Sequence, residues 1–133
     1  MTLADLLKVP YVAHGRAETG ADCYGLTRLA RKHLYGKSLA GDYTEINPMD
    51  KRGLTNALAK EAVAFRQCPI KDGAIAAAFQ GKLCTHMAIA VTVDGRLMIL
   101  ETNAKETNAK GMPRIIHPEI FARGYAKVIY YDD

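Results

Sequence analysis

The sequence predicts an α+β fold, with helices in the N-terminal half and an antiparallel sheet after them. Apolar residues recur at helical spacing up to about residue 65. Beyond Gly73 they come in short runs bounded by glycine and polar residues, which is the pattern of buried strands. Between two of those runs stands Asp94-Gly95, the sequence of a two-residue hairpin turn. A chain of 133 residues, 49% of them hydrophobic, is long enough for one sizeable core and short for two, so residues 1–133 are read as a single domain.

Taken in order, Thr2 can cap a short helix through Leu3, Leu6 and Leu7, which Pro10 ends for want of an amide hydrogen. A loop rich in turn formers follows, with His14-Gly15-Arg16 and Thr19-Gly20. The first strong helix is expected from about Asp22 to Tyr35, stopped by Gly36. Leu26, Leu29, Ala30 and Leu34 share its apolar face, and Arg28, Arg31 and Lys32 fall away from it. Ser38 to Pro48 is polar. Asp50 then offers a cap for a second helix carrying Leu54, Leu58, Ala62 and Phe65. Strands are expected at Ala74 to Phe79, Met87 to Val93 and Arg96 to about Asn103, the last two paired across the hairpin. Arg114 to Ile116 and Tyr125 to Tyr131 can add edge strands, with a helical turn opened by Pro118 between them. The five-residue repeat Glu101-Thr102-Asn103-Ala104-Lys105 and Glu106-Thr107-Asn108-Ala109-Lys110 is too short for a solenoid unit, and its second copy is read as a surface loop.

Composition excludes several classes. With 18 Lys and Arg against 14 Asp and Glu, the formal charge is +4 and no long cationic run occurs, so the chain lacks the concentrated basic face of a nucleic-acid-binding domain. The three cysteines, Cys23, Cys68 and Cys84, form no Cys-x-x-Cys pair, which argues against a zinc site and a disulfide scaffold. Met1 to Pro10 carries Asp5 and only a short apolar run, unlike a signal peptide, and no stretch approaches the roughly 20 apolar residues of a bilayer span. A product made in the cytoplasm, without membrane insertion, is expected.

One constellation carries chemistry. Cys23 follows Asp22 at the start of the first strong helix, where unsatisfied amides and the helix dipole favour an anion, and a thiolate is an anion. His86 precedes the expected Met87 strand and can serve as its general base. Pairing Val93 with Arg96 places Ala88 opposite Glu101 and His86 opposite Asn103, so all four side chains share one face. Either Glu101 or Asn103 can then orient the imidazole, completing nucleophile, base and orienting group. Cys68 and Cys84 read as packing residues, although Cys84 would point to the side of His86 if the strand begins early. His14, His33 and His117 read as surface residues, and His14, in the loop before Cys23, can also line a substrate cleft.

The run Tyr11-Val12-Ala13-His14-Gly15-Arg16, followed by Gly20-Ala21-Asp22-Cys23-Tyr24-Gly25-Leu26, resembles the signature of NlpC-like cell-wall cysteine peptidases. Thr85-His86-Met87-Ala88-Ile89-Ala90-Val91 is similar to that family's histidine strand, and the likeness runs from Tyr11 to about Asn103. His-Gly-Arg before the cysteine and an aromatic residue after it look most like members carried in phage and prophage tails. The resemblance implies a papain-like fold, a nucleophile helix packed on an antiparallel sheet, and hydrolysis of amide bonds in peptidoglycan stem peptides without a cofactor. It implies phage tail proteins as partners and action on the cell wall. It also implies that Tyr11 helps to bind the oxyanion beside the Cys23 amide; Asp22, His14 and Asn103 are expected near the substrate by their proximity to Cys23 and His86. Two positions depart from the pattern: Asp72-Gly73-Ala74 replaces the usual Gly-Asp, and Glu101 or Asn103 stands where a histidine is common. The same fold also serves amidases and acyltransferases, or a tail component without activity.

Overall fold

The computed structural model describes residues 1–37, 53, 55, 56, 59, 65–103 and 111–133. The chain forms helix α1 (Leu3–Leu6), the two-residue strands β1 (Arg16–Ala17) and β2 (Gly20–Ala21), and helix α2 (Cys23–Tyr35). Strands β3 (Arg66–Cys68), β4 (Ile75–Gln80), β5 (Leu83–Val93), β6 (Arg96–Glu101) and β7 (Arg114–Ile116) follow. Helix α3 (Pro118–Arg123) and strand β8 (Lys127–Asp132) complete it. This is an α+β arrangement. Strands β3 to β8 make one antiparallel sheet in the order β3-β8-β4-β5-β6-β7.

Local chemistry sets the boundaries of the helices. Thr2 caps α1 in a reciprocal box, its hydroxyl accepting from the Asp5 amide while the Asp5 carboxylate accepts from the Thr2 amide. Asp22 caps α2 through the Gly25 amide at 2.8 Å, and Gly36 ends it in the left-handed region at φ 65°. Asp94 and Gly95, both at positive φ, turn β5 into β6 with Val93 opposite Arg96, the register expected from the sequence.

Alternation along the strands gives the sheet two buried faces. Ile89, Val91 and Leu100 pack against Leu26, Leu29 and Ala30 of α2, with Leu6 and Val9 closing that layer. Ala76, Ala78, Ala88, Ala90 and Ile99 face the other way, beneath Phe121 of α3. Four alanines on this face let a helix of six residues approach closely enough to cover it.

Several expectations change. The Tyr125–Tyr131 segment is expected at an edge, but β8 lies inside the sheet between β3 and β4; β3, which carries no strong period of its own, takes the outer place. The strand expected from Met87 begins at Leu83, because β4 continues to pair with it through a bulge near Ala78 and Phe79. Arg31, expected to point away from the core, is fully buried and paired with Asp132 of β8 at 2.7 Å. A partner distant in sequence overrides the helical period there. Of the helix expected from Asp50, only Gly53, Thr55, Asn56 and Ala59 are described, all helical, and Phe65 lies past it just before β3. The polar stretch Ser38 to Pro48 and the repeat's second copy lie outside the described residues, as do Leu54, Leu58 and Ala62. Among the described residues no helix is long and apolar enough to cross a membrane.

Candidate active site

The approach to Cys23 is built by close backbone contacts. Gly15 donates its amide to Val12 and accepts from the Asp22 amide, while the Ala21 amide reaches the Pro10 carbonyl, so residues 10–15 fold back along β2. A Cβ at Gly25 would lie 2.1 Å from the Gly15 carbonyl oxygen, and one at Gly15 would lie 2.3 Å from that of Gly20. Only glycine fits at either position. The Asp22 carboxylate is fully buried, with one oxygen on the Gly25 amide and the other 2.6 Å from Arg16 Nη1. Asp22 therefore caps the helix and anchors the loop, and both its oxygens are engaged in doing so.

Cys23 occupies the first position of α2 and packs among Tyr24, Met87 and Cys84, with its side chain close enough to the His86 ring to act as its hydrogen-bond partner. His86 Nε2 lies 2.9 Å from Glu101 Oε1, which leaves Nδ1 as the nitrogen for the thiol. The imidazole is thus hydrogen-bonded to the carboxylate and has the thiol as a neighbour. Burial of the ring opposes its charge. The hydrogen bonds and negative charges of Cys23 and Glu101 outweigh that cost and raise its pKa to about 9. For Glu101, burial pushes the carboxyl up, but His86 and then Arg114 hold it below its ordinary value.

The hairpin decides where these groups stand. The β5–β6 ladder covers Ile89 to Val93, whereas β5 itself begins at Leu83, so His86 lies on the stretch of β5 beyond that ladder. Its ring packs against Phe121 at 5.8 Å and stacks on Tyr125 at 6.0 Å, on the alanine face. Tyr125 has its own pKa pushed up to about 12 by burial and then by the charges of Glu101 and Cys23. Glu101 ends β6, with the Asn103 amide 3.5 Å from the same oxygen that meets His86. Between the two candidates for orienting the ring, it is Glu101 that touches it.

Tyr11 is half-buried, and its amide donates to the Gly111 carbonyl at 2.8 Å, tying the loop before Cys23 to the segment leading into β7. His14 is the third residue of the turn closed by the Gly15 amide on Val12, with φ at 64°. That backbone region is unusual for a residue with a side chain, and histidine is among the types that tolerate it. Cys84 does not point toward the imidazole as an early strand start would suggest. The bulge turns it into the Cys23 and Met87 cluster, where its thiol donates to the His86 carbonyl at 3.4 Å.

Three contributors are not apparent in the sequence: Arg114, whose Nε and Nη2 both lie 2.8 Å from Glu101 Oε2, and the two aromatic neighbours of the ring, Phe121 and Tyr125. They belong to segments read only as edge strand and helical turn. Their one signal is an aromatic or basic residue on elements that the topology returns to the hairpin. A small cleft of about 100 Å³ opens beside Glu101, lined by Asn103, Arg114, Ile116, Ile120 and Tyr125. Among the described residues no group of three or more His, Cys, Asp or Glu side chains is placed to hold a metal ion.

A thiol at a helix start, a buried imidazole and a carboxylate in series are an arrangement that can serve nucleophilic acyl transfer. Comparison with protein-family models, with curated proteins and with solved structures returns no match for this chain.

Proposed function

We propose that this protein is a thiol peptidase of the papain-like, NlpC type that hydrolyses amide bonds in peptidoglycan stem peptides as part of a phage or prophage tail. The observation that carries the reading is the His86 ring held between Glu101, at 2.9 Å, and Cys23. The Cys23 sulfur attacks the amide carbon and forms a carbon–sulfur bond. His86, charged across neutral pH, then protonates the departing amine as the carbon–nitrogen bond breaks. Water attacks the resulting thioester, giving a proton back to His86, and as the carbon–oxygen bond forms the carbon–sulfur bond breaks, which frees the carboxylic acid and returns the Cys23 sulfur as thiolate. The Asp22 carboxylate takes the Gly25 amide rather than that of Cys23, so the Cys23 amide is available to the oxyanion, with Tyr11 as second donor by its place in the motif. Losing one such donor typically costs about 100-fold or more.

The test is digestion of purified peptidoglycan by the wild-type chain and by Cys23→Ala, with released stem fragments read by mass spectrometry. Fragments from the wild type alone support the reading. Release of acyl groups from lipid or small amide substrates, but not from peptidoglycan, would move the protein to the amidases and acyltransferases. Burial favours one further reading: Cys23 is 4% exposed and His86 3%, so a tail component that retains the fold with an unreachable thiol fits the same geometry. Iodoacetamide decides between them, since an unreachable thiol labels no faster than a model thiol at any pH.

A further inference from the structure

Glu101 has two oxygens with different duties. Oε1 faces His86 at 2.9 Å, and Oε2 is gripped by Nε and Nη2 of Arg114, each at 2.8 Å. Arg114 comes from β7, whose ladder with β6 places it directly opposite Glu101. A carboxylate at the end of a strand can rotate about its last bonds. Two donors on one oxygen remove that freedom and leave the other oxygen aimed at the ring. The guanidinium is half-exposed and its carboxylate partner is buried, so the fork enters from the cleft and is not a core packing group.

We propose that Arg114 is a positioning residue for the thiol–imidazole pair, acting through Glu101 and making the working unit a chain of four: Arg114, Glu101, His86, Cys23. This rests on the reading of Cys23 and His86 as an activated pair. It adds a residue outside every motif in the sequence and predicts that the carboxylate orients the ring only while the fork holds it.

The experiment measures the pH dependence of Cys23 alkylation by iodoacetamide, from pH 5 to 10, in the full chain. The variants are Arg114→Gln, Glu101→Gln, the double variant and His86→Ala. At pH 6, Arg114→Gln is expected to slow labelling about tenfold, on the scale of a lost hydrogen bond to a charged group. In the Glu101→Gln background the same change is expected to cost less than about twofold, because the group it acts through is gone. Equal losses in both backgrounds would mean a general structural role and would overturn the proposal, as would an unchanged rate and profile in Arg114→Gln. If the glutamine variant loses its near-UV circular dichroism, Arg114→Lys replaces it. Lysine keeps the charge but not the fork, so a loss of about threefold that vanishes in Glu101→Gln is expected, and the same two outcomes overturn it. Failure of the underlying pair is distinguishable: wild type and His86→Ala would then label alike, along the titration of an ordinary thiol near ~8.5.

Discussion

The imidazole of His86 is the residue on which the proposed chemistry turns, and its environment fixes a pH dependence. Its pKa is raised to about 9 against an ordinary 6.5, so its charged form persists through neutrality. The stabilising contribution of that charge is complete below 6.5 and is lost as the pH rises through about 9. Hydrolysis is therefore expected to fall on the alkaline side near pH 9, where the ring can no longer supply a proton, and the His86 carbon resonances are expected to titrate there by NMR. A midpoint near 6.5 would remove the charged-ring step. Cys23→Ala and His86→Ala are expected to abolish hydrolysis, and Glu101→Gln to weaken it about tenfold or more; stem-peptide release measured for each variant checks the order. At this scale, much of the site is legible beforehand. Cys23 and His86 follow from a helix start and a hairpin register, both local features, and the register narrows the orienting group to Glu101 or Asn103, a choice that only the structure resolves. Arg114 and Tyr125 do not, because their relation to His86 depends on where two later elements return.

The elements explain why the loop before Cys23 is so rich in glycine. Gly25 faces the Gly15 carbonyl at a distance no Cβ can occupy, and the helix start is set by that contact as well as by its cap. Gly25→Ala is expected to cost roughly 1–3 kcal/mol through overpacking and, by displacing the first turn, to slow Cys23 alkylation. Denaturant melts and labelling rates taken together check it; loss of stability with unchanged labelling would separate the glycine from the site. The extents of α1, α2 and the β5–β6 hairpin are readable because Thr2, Asp22, Gly36 and Asp94-Gly95 are local signals. The early start of β5 is not, since it depends on a bulge opposite β4 that no residue type announces.

For the whole molecule, the ion pair beneath α2 matters most. Asp132 is buried, and burial alone would raise its carboxyl pKa. Arg31, Lys71 and Lys37 outweigh this and hold it well below the ordinary value of 3.8. Its contribution is complete above 3.8 and drains away as the pH falls below it. Asp132→Asn takes the buried carboxylate from Arg31, whose Nε and Nη2 make no hydrogen bond among the described residues and whose Nη2 has only the exposed Asp133 carboxylate at 3.6 Å, and is expected to cost about 3–5 kcal/mol at pH 7. The difference from wild type should shrink toward pH 2 in thermal melts; a constant difference would rule out the carboxylate's charge as the cause. The α+β order is legible in the sequence, because a change of hydrophobic period survives any arrangement of strands. Strand order is not, because it is a property of pairings between distant segments, and β8 inside the sheet is the plainest instance.

That interior strand has a consequence for the timing of the protein's own synthesis. Among the described residues β3 joins the sheet through β8 alone, so in a chain leaving the ribosome β3 lacks that described partner until Lys127–Asp132 emerges. Arg114, Phe121 and Tyr125, which hold Glu101 and sheathe the imidazole, are also made after Cys23, His86 and Glu101. The nascent chain thus carries the thiol, the ring and the carboxylate for some time before the parts that align and cover them exist, and the full set is present only once translation has passed Tyr125.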